Sequence, residues 1–159
     1  MKTTRVISIF LARVFLSLIF LIGAIGKLFN WHETEKDLME ALCEWQSHVG
    51  FSESAQECLT VLVPWASFLL VLGVLFELLG SLMLLIGYRE RVGVALLILF
   101  IVPVTFLFHS FWFIDGPSRE IQMTMFFKNL AILGGLIMVA LHGAQAKDEG
   151  SSFSSMGMS

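Results

Sequence analysis

The stretch Phe76-Glu77-Leu78-Leu79-Gly80-Ser81 places one carboxylate near the middle of an apolar run that extends over residues 61–87. About 20 consecutive apolar residues are enough for a helix to cross a bilayer, and this run is longer. A charge at that depth is costly unless a counter-charge or water meets it. The stretch therefore predicts a membrane-spanning helix whose carboxylate, Glu77, has a partner.

The composition of the whole chain agrees with a membrane protein. Of 159 residues, 57% are hydrophobic and 14% are charged, whereas about 25% are charged in ordinary soluble domains. The net charge of −3 and the lack of a basic face argue against a nucleic-acid partner. The partner that the composition implies is the lipid bilayer.

Four apolar segments are long enough to be membrane spans. We predict an all-α, integral membrane four-helix bundle over residues 1–146, with spans at about 6–29, 61–87, 94–113 and 126–146. The first run is longer than the apolar core of a signal peptide, so we interpret it as a retained anchor. Residues 147–159 lack a core-forming pattern and are expected to be a disordered tail.

Residues 30–60 form the one substantial polar segment between spans, and it is strongly acidic. Within it, Leu38, Leu42 and Trp45 recur at i, i+4 and i+7. This spacing predicts an amphipathic helix that lies on the membrane or against the bundle.

The orientation follows from the short cationic segments, which favour the cytoplasmic side. We expect both termini and the tail to be cytoplasmic and residues 30–60 to be extracytoplasmic. The cations on the cytoplasmic side of this arrangement are Lys2, Arg5, Arg89, Arg91 and Lys147.

The chain has two cysteines, Cys43 and Cys58, and both fall in the segment assigned to the oxidising side. This placement permits a disulfide. A structural staple or two unpaired thiols both remain open. The spacing is far from C-x-x-C, so a redox role is the weaker interpretation.

A partner for Glu77 is expected on the first span. Arg13 lies about 7 residues from the cytoplasmic edge and Glu77 about 10, or roughly 10 and 15 Å deep. We therefore predict a structural ion pair between Arg13 and Glu77, with Glu77 as a proton relay as the alternative. Both cations of the first span share one inward face, formed by Arg13, Ser17, Phe20, Ala24 and Lys27.

A second polar set lies at the extracytoplasmic ends of the spans. Two lysines and a histidine beside a tryptophan would suit a quinone-like head group or a small anion. The alternative is that the lysines extend to the lipid head groups, as cations at span ends commonly do. No metal is expected, because His109 has no second ligand at helical spacing. The predicted ligand-binding residues are Lys27, His109, Trp112, Lys128 and Asn129.

These residues, taken in order along the chain, resemble the DoxX family of small bacterial inner-membrane proteins. The motifs that carry the resemblance are Gly26-Lys27, Glu77-Leu78-Leu79-Gly80, His109-Ser110-Phe111-Trp112 and Phe127-Lys128-Asn129-Leu130. The resemblance implies a four-helix bundle in the bacterial inner membrane. It also implies kinship with a subunit of a thiosulfate:quinone oxidoreductase and with members that assemble with soluble redox enzymes.

The leading functional hypothesis is a membrane subunit of a redox system linked to quinone, sulfur or oxidative stress. Quinone is the expected cofactor, and a soluble or membrane redox partner is expected. The alternative is a non-enzymatic anchor or scaffold for a partner protein, and homo-oligomerisation is compatible with either hypothesis.

Overall fold

Every regular element is a helix in the computed structural model, which describes residues 2–48 and 53–156. Side chains are described for residues 7–48, 56–57 and 60–141. Two short 3₁₀ turns, Val63–Trp65 and Phe111–Phe113, connect elements. The helices are α1 (Lys2–Phe29), α2 (Trp31–His48), α3 (Glu53–Leu62), α4 (Ala66–Ile86), α5 (Glu90–Phe108) and α6 (Pro117–Met156).

Four segments are long and apolar enough to cross a membrane, which confirms the predicted all-α four-span bundle. They are Ile7–Phe29, Thr60–Ile86, Glu90–Phe113 and Pro117–Leu141. The spanning helices close into a ring in which α1 packs on α4, α4 on α5, α5 on α6 and α6 on α1. Phe20, Leu84, Leu97 and Leu136 fill the centre of this ring.

The α4–α5 hairpin depends on glycine at two places. A Cβ at Gly80 would lie 2.9 Å from the carbonyl oxygen of Gly93, so the two backbones touch where these glycines meet. Gly87 ends α4 with φ 77° and donates its N–H to Met83 O, a left-handed cap that glycine adopts without steric cost. We call this end of the bundle the turn end.

The amphipathic helix predicted within residues 30–60 is present as α2, and it packs against the bundle. Leu38 and Leu42 are buried together with Leu70 of α4. Trp45 Nε1 donates a hydrogen bond of 3.2 Å to Leu107 O at the end of α5. We call this opposite end of the bundle the α2 end.

The helix that contains the fourth span extends beyond residues 126–146 at both ends. Helix α6 begins at Pro117 and not near residue 126, because Gly116 has φ 80° and proline is well suited to the first helical position. It continues to Met156, and the disorder predicted for residues 147–159 stays a prediction. No proline follows Pro117 to stop the helix, and Gln145-Ala146-Lys147 favours helix. Residues 157–159 lie outside the described part of the chain.

Candidate functional site

Glu77 is buried in the interface between α1 and α4, and its partner there is Lys27. The ammonium of Lys27 lies 2.9 Å from Glu77 Oε2 and 3.2 Å from Oε1, so one cation contacts both carboxylate oxygens. Gly23 makes room for this pair, since a Cβ at that position would lie 2.6 Å from Oε1. Glu77 is 2% exposed, and the pair thus neutralises a charge inside the hydrocarbon region.

The predicted ion pair between Arg13 and Glu77 is wrong. Arg13 lies at the turn end, where its Nη1 is 2.9 Å from Glu90 Oε1 and its Nε donates to Leu84 O at 3.0 Å. Leu84 belongs to the last turn of α4, whose carbonyls have no donor within the helix. Arg13 therefore joins the end of α4 to the start of α5.

The direction of helical side chains explains why Glu77 pairs with Lys27 and not with Arg13. Each Cα–Cβ bond tilts toward the N-terminus of its own helix. Because α1 and α4 are antiparallel, the side chain of Lys27 tilts toward the turn end and that of Glu77 toward the α2 end, so the two converge. Arg13 tilts away from Glu77 and toward Glu90.

A cavity of about 520 Å³ lies beside the Lys27–Glu77 pair, between α4 and α5 and beneath α2. Its walls are mainly apolar, with Leu70, Phe100 and Phe108 among them. Volumes of roughly 300–1,000 Å³ are usual for small-molecule sites. The polar side chains in its lining are Lys27 from α1, Thr34 and Asp37 from α2, and His109 at the end of α5.

The lysine in this cavity is held from two sides. Its side chain is 27% exposed, and its ammonium lies 5.2 Å from the centre of the Phe100 ring. An aromatic face attracts a cation at this distance. Lys27 is thus fixed by Glu77 and Phe100 while part of it faces the cavity.

His109 presents a hydrogen-bonding ring at the cavity wall. Its Nδ1 lies 2.7 Å from Gln122 Oε1 of α6. Because the carboxamide oxygen accepts, Nδ1 carries the proton, and in the neutral ring Nε2 is then an acceptor. The site therefore combines a donor, Lys27, with an acceptor, His109.

A further acceptor comes from the backbone of α5. Pro103 has no N–H, so the carbonyl of Leu99 lacks the donor that a regular helix would supply. Both residues line the cavity. The sequence shows that Pro103 supplies no N–H to this span, but whether the freed carbonyl reaches the cavity depends on which face of α5 meets it.

Of the five predicted ligand-binding residues, the cavity lining brings together Lys27 and His109. Lys128 is exposed on α6, where its ammonium lies 3.1 Å from Met125 Sδ. Asn129 is half-buried and lies outside the lining. The binding role of these residues stays a prediction.

Trp112 belongs to an aromatic cluster that covers the α2 end. Its ring centre lies 6.0 Å from that of Trp45, and Phe113 stacks on His48 with centroids 4.2 Å apart. The cluster fastens α2 to the connection between α5 and α6. Trp112 therefore helps to hold α2 over the cavity and is not part of the cavity lining.

Thr34 and Asp37 line the cavity but were not predicted from the sequence. Thr34, Leu38 and Leu42 recur every four residues and so share one face of α2. The buried leucines of that face could have identified Thr34. No feature of the sequence distinguishes Asp37 from the other carboxylates of the segment.

The possible disulfide between Cys43 and Cys58 depends on a side chain outside the described residues and stays a prediction. Cys43 is exposed on α2. The side chain of Cys58 lies outside the described residues. Among the side chains that are described, no group of three His, Cys, Asp or Glu residues could hold a metal ion.

Comparison with known proteins places this architecture among bacterial membrane proteins. Residues 8–110 match the family model described as DoxX. The chain is 29% identical over 146 residues to inner membrane protein YqjF of Escherichia coli, with 92% of each chain covered. It is 22% identical over 98 residues to inner membrane protein YphA of the same organism, covering 62% of this chain and 70% of YphA.

A shorter match extends to a eukaryotic protein. The chain is 28% identical over 71 residues to the ER-derived vesicles protein ERV29 of Saccharomyces cerevisiae, covering 45% of this chain and 23% of ERV29. No solved structure matches the chain. Together with the four spans, the bacterial relatives indicate a multi-pass inner membrane protein.

Proposed function

Since the chain belongs to the DoxX family, we propose that it is the membrane subunit of a redox system and binds a quinone in the cavity between α4 and α5. The observation that carries this proposal is an apolar cavity of about 520 Å³ with Lys27 and His109 in its wall. An apolar site with few polar groups suits a ligand that has an apolar body and a polar head.

The polar groups of the cavity match the two forms of a quinone head. The Lys27 ammonium can donate a hydrogen bond to a quinone carbonyl. His109 Nε2 and the Leu99 carbonyl can accept one from a quinol hydroxyl. A site with both kinds of group can bind the oxidised and the reduced ligand.

The route to the cavity suits a ligand with a long apolar tail. Leu99 and Pro103 line the cavity and are exposed on the outer face of α5. In a bilayer that face meets lipid tails. The head group can therefore enter sideways while the tail stays in the hydrocarbon.

The charges favour a neutral head group over a sulfur oxyanion. The positive charge of Lys27 is neutralised by Glu77, which touches it with both oxygens. Asp37 adds a negative charge to the cavity wall. A free anion would meet this carboxylate without an uncommitted cation in the cavity lining, whereas a quinone carries no charge.

The test measures the binding of a short-tailed quinone analogue to the purified protein, with the quenching of tryptophan fluorescence as the readout. We expect His109→Ala and Gly73→Leu to weaken binding, the first by removing a polar contact and the second by filling the cavity that Gly73 lines. Lys128→Ala is the matched control, because Lys128 does not line the cavity. Equal affinity in all variants would overturn the proposal.

The scaffold alternative is supported by the outer face of α2, where Glu33, Glu40 and Glu44 are exposed. A basic partner could bind such a face. Replacing these three residues with lysine would then abolish partner binding and leave quinone affinity unchanged. Both termini are proposed to be cytoplasmic, which would put α2 on the outer side, where a periplasmic protein could reach it.

A further inference from the structure

We propose that α1 and α4 enclose a proton path that connects the cavity with the turn end of the bundle. This activity goes beyond quinone binding and does not depend on it. The path follows a line of polar side chains along α1 and α4 and at the first residue of α5, which we call the polar seam. Its members are Lys27, Glu77, Ser81, Ser17, Arg13 and Glu90.

The seam crosses most of the membrane interior. Lys27 meets Glu77 at one level, and Arg13 meets Leu84 and Glu90 at another. Ser17 lies one helical turn from Arg13 in the direction of Lys27. Ser81 lies one helical turn from Glu77 in the direction of the turn end. Because α1 and α4 are antiparallel, these two steps approach each other, and the two serines lie at a similar height. The distance from Arg13 to Lys27 along α1 is about 21 Å, against a hydrocarbon thickness of about 30 Å.

Two buried atoms of the seam call for water. Ser17 is 0% exposed, and Ser17 Oγ and Glu90 Oε2 have no hydrogen-bond partner among the described residues. Ser81 Oγ, also fully buried, donates to Glu77 O at 2.6 Å and keeps its lone pairs for another donor. Buried polar atoms without a protein partner are ordinarily bonded to internal water. The seam can therefore hold water between its two carboxylates.

The charges of the seam permit a proton to pass. Lys27 is neutralised by Glu77 and Arg13 by Glu90. The seam thus carries no net charge that would repel a proton. Ionisable groups inside a membrane protein commonly mark proton relays.

Each step of the path moves one proton and no electrons. A proton from water at the turn end protonates Glu90 and passes through waters held by Ser17 and Ser81 to the carboxylate of Glu77. Lys27 gives a proton to water in the cavity and takes one back from the Glu77 carboxyl. Asp37, exposed in the cavity wall, passes the proton to the α2 end.

The experiment is proton flux into vesicles of phosphatidylethanolamine and phosphatidylglycerol that contain the full chain and a trapped pH-sensitive dye. A potassium gradient with valinomycin supplies the driving voltage. We expect the wild-type flux to exceed that of protein-free vesicles by about tenfold, and Glu77→Gln to return it to the protein-free level. No quinone is present, so the result is independent of the proposed ligand.

Ser17→Ala separates a proton path from a structural role. The Ser17 hydroxyl has no hydrogen-bond partner among the described residues, so its removal breaks no described hydrogen bond and the variant should fold. We expect the flux to fall about tenfold. Thr105→Ala is the matched control, because Thr105 is a buried hydroxyl on α5 that donates to Ile101 O, and its variant should keep the wild-type flux.

Two results would overturn the proposal. One is a wild-type flux equal to that of protein-free vesicles. The other is an unchanged flux in folded Ser17→Ala, which would leave the seam as packing alone.

Discussion

The two ion pairs of α1 differ in what surrounds them, although both join the same face of one helix to its neighbours. The Arg13–Glu90 pair closes the turn end, where Arg13 also binds the last turn of α4. The Lys27–Glu77 pair lies within the span, beside a cavity. Their comparison indicates that Arg13 fastens helix ends, whereas Lys27 holds a buried charge where a ligand could reach it.

The largest expected effect comes from breaking the inner pair. Glu77→Ala should lower the free energy of unfolding by about 3–5 kcal/mol, because it leaves Lys27 charged and unpaired in the interior. Denaturation of the detergent-solubilised protein with SDS measures the loss. The double variant Lys27→Met, Glu77→Leu should recover most of the stability while losing quinone affinity. A double variant as unstable as Glu77→Ala would contradict this account.

Breaking the outer pair should cost less. Arg13→Met removes a hydrogen bond to Leu84 O and the contact with Glu90. Because a hydrogen bond to a charged group contributes about 1.5–3 kcal/mol, we expect the free energy of unfolding to fall by that amount. The same SDS titration measures it. Quinone affinity should be unchanged, because Arg13 does not line the cavity. A loss of affinity equal to that of His109→Ala would erase the distinction between the pairs.

Neighbouring glycines of α1 offer a matched test of the inner pair. Gly23→Ala should cost about 1–3 kcal/mol, because the added Cβ would overlap Glu77 Oε1 and displace the carboxylate. Gly26→Ala should stabilise α1 by about 0.5–1 kcal/mol, since no atom lies within 4 Å of its Cβ position. Thermal unfolding of the two variants in the same detergent compares them. Equal shifts would show that the carboxylate does not need the space at Gly23.

The smallest effect is expected at Lys128. This side chain is exposed and contacts Met125 within its own helix. Lys128→Ala should change the free energy of unfolding by less than about 0.5 kcal/mol. The SDS titration again measures it, and a change comparable to that of Arg13→Met would show that Lys128 has a role that its contacts do not reveal.

The sequence was enough to predict the spans, the amphipathic α2 and the inward face of α1, because each depends on hydrophobic periodicity along a single helix. It was not enough to predict which cation pairs with Glu77. Depth counted in residues places Arg13 and Glu77 near each other, but side-chain direction and the relative height of two helices decide the contact. The cavity was hidden for the same reason: Lys27, Thr34 and His109 come from separate elements, and the packing of α2 brings them together.

The partners of the cations on α1 lie far along the chain, and this has a consequence for biosynthesis. Lys27 and Arg13 leave the ribosome well before Glu77 and Glu90 are made. An unpaired cation opposes insertion by about 2.5–3.5 kcal/mol at the centre of a span and by less toward the span ends, where Arg13 and Lys27 lie. The apolar residues of the first helix therefore have to carry both cations into the lipid, and the two ion pairs form only after the second and third spans have entered.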